Sequence, residues 1–256
     1  MQLDNLGDQI RLEQEHWWFR ARRRIIGNIV RALVAPSKEA LIVDVGCGVG
    51  VDAQALATDY EVTGIDQWEE AIDLAARCFP AVRFICGNTP NDLGNLVDRT
   101  RLFLVTDFLE HVEDDRAMFQ PLVEAARPGT YFLVTVPTVF AGWSARDPRE
   151  DDFPRYNAAK FMGIWRCLPI EEVLITWIDW RFHWPLRVPL VPTLAGLARP
   201  RAFDALPSPP SRFINWFLEK ILVGESRLLL KQLRGSRRSG YRAGSTLLAV
   251  LRKKQG

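Results

Sequence analysis

The sequence has few cysteines and no pattern that would pair them. Cys47, Cys78, Cys86 and Cys167 form no Cys-x-x-Cys pair and no zinc spacing, which argues against a disulfide framework and a zinc site. We expect reduced thiols, as in a cytoplasmic protein. No apolar run reaches about 18 residues, so no segment is expected to span a bilayer as a helix. The N-terminal stretch MQLDNLGDQIRLE has no apolar centre, and we expect no secretory signal.

Neither sign of charge is in excess, because 33 Lys and Arg stand against 31 Asp and Glu. The distribution is uneven. Eleven basic and two acidic residues lie between Ser211 and Gly256, whereas acids crowd residues 107–115. The basic end is typical of a protein with an anionic partner, or of a solvated basic face. No nucleic-acid recognition motif is present, so we do not expect nucleic acid as that partner.

Short apolar runs alternate with segments of helical spacing, and no internal repeat is visible. The predicted strands are 40–46, 60–66, 81–87, 101–107, 130–137, 171–180 and 245–253. The predicted helices are 8–35, 50–58, 68–78, 113–127, 157–166 and 211–233. This alternation predicts an α/β fold with a doubly wound parallel sheet. We interpret 1–256 as one domain, with an N-terminal helical cap (1–38), a core (39–137) and a substrate-side part (138–256).

The stretch VDVGCGVG, residues 43–50, follows the first predicted strand and precedes a helix. Its three glycines permit positive φ and let a ligand approach the backbone closely. Asp66 ends the second strand, twenty residues after Gly46, where an acid can accept both hydroxyls of a ribose. These features predict a ligand with an adenosine-like half, bound at the carboxyl ends of the strands.

Asp44 lies directly before this loop and distinguishes between two ligand classes. The dinucleotide fingerprint GxGxxG is missing, and a carboxylate here would repel a pyrophosphate. It would suit a cation such as the amino group and sulfonium of S-adenosylmethionine. Two alternatives remain. The protein could be a dinucleotide-binding enzyme of Rossmann type, or it could have a degenerate form of such a fold that has no activity and only binds a membrane or a partner.

Four motifs of this sequence resemble motifs of the class I S-adenosylmethionine-dependent methyltransferases and occur in the same order. VDVGCGVG is similar to their first motif, Asp66 to their ribose-binding acid, ICGNTP to the segment after strand three, and DFLEHVEDD to the fourth motif. Asn88 stands where that family usually has an acid, and its amide oxygen can accept the same hydrogen bond. The resemblance implies a Rossmann-like seven-stranded sheet whose last strand is antiparallel. It implies S-adenosylmethionine as cofactor, bound by Asp44, Gly46, Cys47, Gly48, Gly50, Asp66, Gln67, Asn88, Thr89 and Asp107.

His111 follows the fourth strand, and three interpretations of it stay open. It could be the general base that takes a proton from an oxygen or nitrogen acceptor. It could cap the following helix and pack the loop. It could hold a divalent metal together with Asp107 and Glu110, although adjacent residues rarely ligate one ion, and we predict no metal.

EHWWFRARRR, residues 15–24, is similar to a WWFxxRR motif of a bacterial subgroup of these enzymes. The resemblance implies a cap whose aromatic rings exclude water while arginines hold an anionic acceptor. The alternative is a helix that packs its aromatics on the sheet and leaves its arginines in water. An RY pair beyond strand five is also similar to that subgroup. The candidate acceptor-binding residues are Trp17, Trp18, Arg22, Arg23, Arg155 and Tyr156.

The sequence does not identify the acceptor, which we expect to be a small molecule, a glycan or a lipid-linked compound. Residues 182–200 are apolar but contain four prolines, which exclude a long regular helix. Together with the aromatic and basic residues up to 233, they could contact the inner face of the membrane, line an acceptor pocket or pack on the domain. We expect a cytoplasmic enzyme, with peripheral membrane contact as one possibility; the oligomeric state is not predicted.

Overall fold

The computed structural model describes residues 3–138, 156–178, 210–235 and 244–255. Seven strands form one sheet in the order β3-β2-β1-β4-β5-β7-β6. Strand β7 pairs antiparallel with both β5 and β6, and the pairs among β1 to β5 are parallel. This confirms the predicted fold class. The strands are β1 (Ser37–Val45), β2 (Tyr60–Asp66), β3 (Arg83–Cys86), β4 (Thr100–Thr106), β5 (Tyr131–Pro137), β6 (Ile170–Ile178) and β7 (Thr246–Lys253).

Helices cover both faces of the sheet. In chain order they are α1 (Leu3–Glu15), α2 (Trp17–Leu33), α3 (Val51–Leu56), α4 (Glu69–Cys78), α5 (Leu96–Arg99), α6 (Asp115–Ala125), α7 (Ala158–Gly163), α8 (Arg212–Val223) and α9 (Ser226–Leu233). Short 3-10 turns lie at Asn91–Leu93 and Leu109–His111. Neither these turns nor α5 was predicted, since segments this short have no clear apolar period.

Side chains of alternating direction along the strands feed two separate cores. In β1, Leu41 and Val43 pack with residues of α5, α6 and α7, whereas Ile42 packs with residues of α2, α3, α8 and α9. This is the period of two that a strand buried on both faces requires. Burying each large apolar side chain contributes about 1.5–3 kcal/mol.

The predicted helix 8–35 is two helices, and His16 divides them. The His16 backbone is extended, with φ −74° and ψ 132°, and its side chain accepts a hydrogen bond from the Trp18 backbone N–H. The helix predicted at 211–233 is likewise divided, at Gly224 and Glu225. Both divisions lie inside stretches whose apolar spacing continues, so periodicity alone did not reveal them. Two stretches of the predicted substrate-side part, 139–155 and the proline-containing 182–200, lie outside the described residues.

The parallel strands bring their carboxyl ends to one edge of the sheet. The glycine loop after β1, Asp66 at the end of β2, the turn after β3 and Asp107 after β4 all lie at this edge. Ligands of open α/β sheets bind there, outside the carboxyl ends and near the point where the strand order reverses. The reversal here lies between β1 and β4.

Candidate functional site

The glycine loop joins β1 to α3 in a conformation that its sequence makes possible. Gly46, Gly48 and Gly50 have φ of +69°, +49° and +77°, in the region that favours glycine. A Cβ on Gly46 would lie 2.1 Å from the Phe108 ring, and one on Gly50 would lie 2.5 Å from the Phe84 ring. At Gly48, by contrast, a Cβ would meet nothing within 4 Å. The middle of the loop therefore presents its backbone to open space, where a ligand can approach.

Asp44 lies beneath this loop and is only 2% exposed. Its Oδ2 atom is buried and has no hydrogen-bond partner among the described residues. Burial raises the pKa of this carboxyl well above its usual range, and the nearby acids Asp52, Asp66 and Glu13 raise it further. A hydrogen bond from the Ala53 backbone N–H opposes the shift. No cationic side chain among the described residues offsets these effects, so a cationic ligand group would stabilise the ionised carboxyl there.

Asp66 connects the end of β2 to the glycine loop through its carboxylate. One oxygen accepts a hydrogen bond from the Gly48 backbone N–H at 2.9 Å, and the other accepts from the Trp68 N–H at 3.0 Å. The side chain is only partly buried. Each carboxylate oxygen can accept a second hydrogen bond, so the pair of hydroxyls of a ribose can still bind.

The other predicted cofactor residues surround this edge of the sheet. Gln67 and Asn88 are exposed, and Thr89 is partly buried. The Asn88 backbone N–H donates to the Asp92 carboxylate at 2.7 Å, which leaves its side-chain amide outside that turn contact. Burial raises the pKa of the Cys47 thiol well above its usual range, which fits packing within the loop rather than a reactive thiolate.

Asp107 lies directly after β4 with φ of +49°, and the cap holds its carboxylate. The Arg22 guanidinium of α2 contacts one Asp107 oxygen at 2.6 Å and donates to the Thr135 hydroxyl at 2.7 Å. That hydroxyl in turn donates to the other Asp107 oxygen at 3.1 Å. The Arg22 side chain is buried and also lies 5.4 Å from the centre of the Trp18 ring. Sequence reasoning missed Thr135, which no motif marks.

The two arginines predicted to hold an acceptor are therefore paired inside the protein. Arg22 pairs with Asp107, and Arg23 contacts Asp52 at 2.8 Å. Trp17 and Trp18 are buried in the core between α2 and the sheet. These contacts favour the packing alternative for the aromatics. Arg22 and Arg23 are each paired with an acid of the protein, and their contact with an acceptor stays a prediction.

The Tyr156 ring is buried, and its hydroxyl lies 2.7 Å from an Asp115 carboxylate oxygen and 3.1 Å from the Leu109 carbonyl oxygen. Burial and the Asp115 hydrogen bond raise the pKa of this phenol. The residue thus supports the 3-10 turn that carries His111, and its burial argues against the predicted contact with an acceptor. Arg155 lies outside the described residues.

His111 is exposed on that 3-10 turn, beside the carboxyl end of β4. Of the two histidines that the structure describes, His16 is a buried helix cap, so His111 is the one placed near solvent. No group of three or more metal-ligating side chains occurs within the described residues.

Helix α1 covers the glycine loop, which the sequence did not reveal. Leu6 and Ile10 pack against Val49 of the loop, Val51 of α3 and residues of α4. On the same helix, burial and nearby Asp52 raise the pKa of Glu13 to about 7. Glu13 and Asp52 therefore add to the negative surroundings of Asp44, and their separation in sequence hid this grouping.

Residues 42–129 match the profile of a family described as a methyltransferase domain. The matched stretch contains the glycine loop, Asp66 and Asp107. The chain has a class I methyltransferase fold. The search of curated proteins finds no significant match. The profile covers about a third of the chain, so residues 1–41 and 130–256 lie outside it.

Solved structures with this methyltransferase fold cover nearly the whole chain. The N-methyltransferase NodS from Bradyrhizobium japonicum, in complex with S-adenosylhomocysteine, is 15% identical, with a TM-score of 0.51 over 91% of this chain and 87% of that chain. A TehB-like S-adenosylmethionine-dependent methyltransferase from Corynebacterium glutamicum is 16% identical, with a TM-score of 0.51 over 91% and 88%. The plantazolicin methyltransferase BpumL, in complex with S-adenosylhomocysteine, is 14% identical, with a TM-score of 0.57 over 98% and 88%. At these identities the likeness establishes the fold alone.

No helix within the described ranges is both long enough and apolar enough to cross a membrane.

Proposed function

We propose that the protein transfers a methyl group from S-adenosylmethionine to an oxygen or nitrogen of a small-molecule, glycan or lipid-linked acceptor. The observation that carries the proposal is the unpartnered, buried Oδ2 of Asp44 beneath an open glycine loop, next to Asp66. The match of residues 42–129 to a methyltransferase domain supports it. Neighbours of the same fold whose structures contain S-adenosylhomocysteine support the choice of cofactor.

The described residues fit this cofactor. Asp44 supplies an acceptor for its cationic methionine half, Gly48 leaves room at the backbone, and Asp66 supplies oxygens for the ribose hydroxyls. The bound cofactor supplies a methyl group already activated on a sulfonium. The protein's task is then to position the acceptor and to exclude water.

An oxygen or nitrogen acceptor loses a proton as it takes the methyl group. We assign His111 as the base for that proton, because it is an exposed imidazole at the edge of the sheet where the cofactor loop lies. Tyr156 positions the turn through its contact with the Leu109 carbonyl. Arg22 and Arg23 are already paired with acids of the protein, so they give no ground for expecting an anionic acceptor.

The first test is the binding of S-adenosylmethionine by Asp66→Ala, measured by titration calorimetry. Loss of the carboxylate removes the ribose acceptors and the hydrogen bond to Gly48, so we expect binding to weaken at least about a hundredfold. Asp73→Ala is the matched control, because Asp73 is an exposed acid on the following helix. We expect it to bind like the wild type.

Normal affinity in Asp66→Ala would overturn the assigned site, provided that circular dichroism shows a folded variant. Binding of NAD without binding of S-adenosylmethionine would instead establish a dinucleotide enzyme. Methyl-labelled cofactor and a cell lysate then test the transfer itself. Label that partitions into organic solvent identifies a lipid-linked acceptor, and label that stays in water identifies a soluble one.

A further inference from the structure

Helix α8 (Arg212–Val223) has one buried face and one exposed aromatic face. Phe213, Trp216 and Phe217 are 73%, 52% and 50% exposed. Their spacing, continued by the exposed Lys220, is i, i+3, i+4 and i+7, which places all four side chains on one side of the helix. The Phe213 and Phe217 rings are nearly parallel, with centres 6.4 Å apart. Large aromatics are thus grouped where a solvated helix would carry polar residues.

The opposite face of α8 is fixed to the cap helix. The Asn215 side chain accepts a hydrogen bond from the Trp17 backbone N–H and donates to the Glu15 carbonyl, each at 2.7 Å. The buried Glu219 carboxylate pairs with Arg20 at 3.1 Å and with Arg24. These polar contacts set the rotation of α8 about its axis, so the outward direction of its aromatic face is specified rather than incidental.

On α8 and α9 the acidic side chains are buried and the basic side chains are exposed. Both acids between Arg212 and Gly235, Glu219 and Glu225, are buried. Every basic residue in that stretch is exposed, namely Arg212, Lys220, Arg227, Lys231 and Arg234. The solvent-facing charge of the two helices is therefore entirely positive, and Arg212 and Lys220 flank the exposed aromatic rings along α8.

We propose that α8 and α9 dock the protein on an anionic membrane surface, with Phe213, Trp216 and Phe217 inserted among the lipid headgroups. Aromatic rings favour the boundary between headgroups and acyl chains, and basic side chains at that depth are attracted to anionic lipid. Exposed charge of a single sign on both helices fits an anionic lipid surface. The residues lie on α8 and α9, outside the proposed cofactor site, so this proposal goes beyond methyl transfer.

The test is co-sedimentation of the full chain with phosphatidylcholine vesicles, with and without phosphatidylglycerol as the anionic lipid. We expect binding only to the anionic vesicles, and weaker binding as salt is raised. Trp216→Ser/Phe217→Ser should lower the partition coefficient at least about tenfold by removing inserted rings. Lys220→Glu should lower it about tenfold through charge. Arg101→Glu is the matched control, since it changes an exposed charge on β4 equally and should bind like the wild type.

Equal loss in Arg101→Glu and Lys220→Glu would overturn the proposal, because attraction would then depend on net charge alone. It would also fail if wild-type protein stayed in the supernatant, or if Trp216→Ser/Phe217→Ser bound normally. Self-association or capture of an acidic protein by α8, without vesicle binding, would assign the face to a protein partner instead. Vesicle binding needs no methyl donor, so its failure is independent of the result with Asp66→Ala.

Discussion

Burial of the Asp44 carboxyl lowers the stability of the free protein. Such an unfavourable placement is typical of a residue that binds a ligand. Asp44 is buried, has one oxygen without a partner and lies near Asp52 and Asp66. Burial of an ionised carboxyl without a cation is unfavourable, so its pKa rises. Other acids, such as Asp107 and Glu219, are instead paired with arginines. This contrast supports the proposal that Asp44 holds a cationic group of the cofactor.

Asp44→Asn should therefore stabilise the free protein and weaken its ligand binding. The raised pKa means that wild-type stability falls as pH rises from the unfolded value of about 4 towards the folded value, a loss that the amide avoids. At neutral pH we expect a melting temperature about 2–4 °C higher. We expect affinity for S-adenosylmethionine to fall about 10- to 100-fold through loss of a charged hydrogen bond.

Thermal unfolding and titration calorimetry check the two effects separately. Wild-type affinity should also rise with pH, because a cationic ligand favours the ionised carboxyl, whereas the affinity of Asp44→Asn should depend less on pH. A less stable variant with unchanged affinity would show that the carboxyl is paired within the protein, against the assignment.

At the scale of single elements, the break between α1 and α2 depends on a neutral imidazole. His16 is buried, and its Nδ1 accepts a hydrogen bond from the Trp18 N–H at 3.2 Å. An imidazole that accepts at Nδ1 cannot be protonated there. Burial lowers the pKa of His16 from 6.5 to about 4. Protonation of His16 at acidic pH is therefore expected to remove the N-cap hydrogen bond of α2.

We expect stability to fall as pH drops from about 6.5 to 4, because the unfolded chain binds a proton at His16 that the folded chain does not. The full effect is about 3 kcal/mol. His16→Asn keeps a cap acceptor without titrating, so its free energy of unfolding should vary less over this range. Denaturant unfolding at a series of pH values measures the difference.

The Glu13→Gln background sharpens that measurement. Glu13 has a raised pKa, about 7, so its contribution to stability falls as pH rises from 4.5 to 7, opposite in sense to that of His16. With Glu13 replaced, its opposing contribution is absent. The Asp44 contribution is common to the variants with and without His16, so their difference gives the slope due to the histidine. An identical slope with and without His16 would show that folding does not shift the pKa of this histidine.

At the scale of the whole molecule, Arg22 joins the cap to the edge of the sheet that carries the candidate site. Its guanidinium binds Asp107 after β4 and Thr135 of β5, while α2 itself is fixed to α8 by Asn215. The cofactor edge and the proposed membrane face are thus attached to the same helix. A movement of α2 would therefore displace residues at both the cofactor edge and the proposed membrane face.

Arg22→Ala should destabilise the protein by about 2–4 kcal/mol, because it leaves Asp107 without its cation in a mostly buried position. Arg31→Ala is the control on the same helix, where an exposed pair with Asp59 is worth about 0–1 kcal/mol. Urea unfolding of both variants compares them. Equal losses would mean that the Arg22 pair does not connect the cap to the sheet. A double-mutant cycle with Asp107→Asn isolates the pair itself.

Much of the core could be predicted because its signals are local. Strand β2 matches its predicted bounds, and the glycine loop and Asp66 lie at one edge as expected, since both follow from short patterns of residue type. The roles of Arg22, Arg23 and Tyr156 were less predictable. The sequence around an arginine does not show whether its side chain contacts a ligand, water or a buried acid. Only the tertiary structure identifies the partner and therefore the role.

The sequence by itself determined the succession of the seven strands and the main helical segments, the turn after β1 and the acid at the end of β2, because propensity, spacing and glycine conformation act between near neighbours. Tertiary structure decided the rest. Arg22 meets Asp107, and Asn215 meets Trp17, across long separations along the chain. Such pairs exist only after the sheet and its helices pack, since packing sets which distant side chains share a buried space and must satisfy each other's charges and hydrogen bonds.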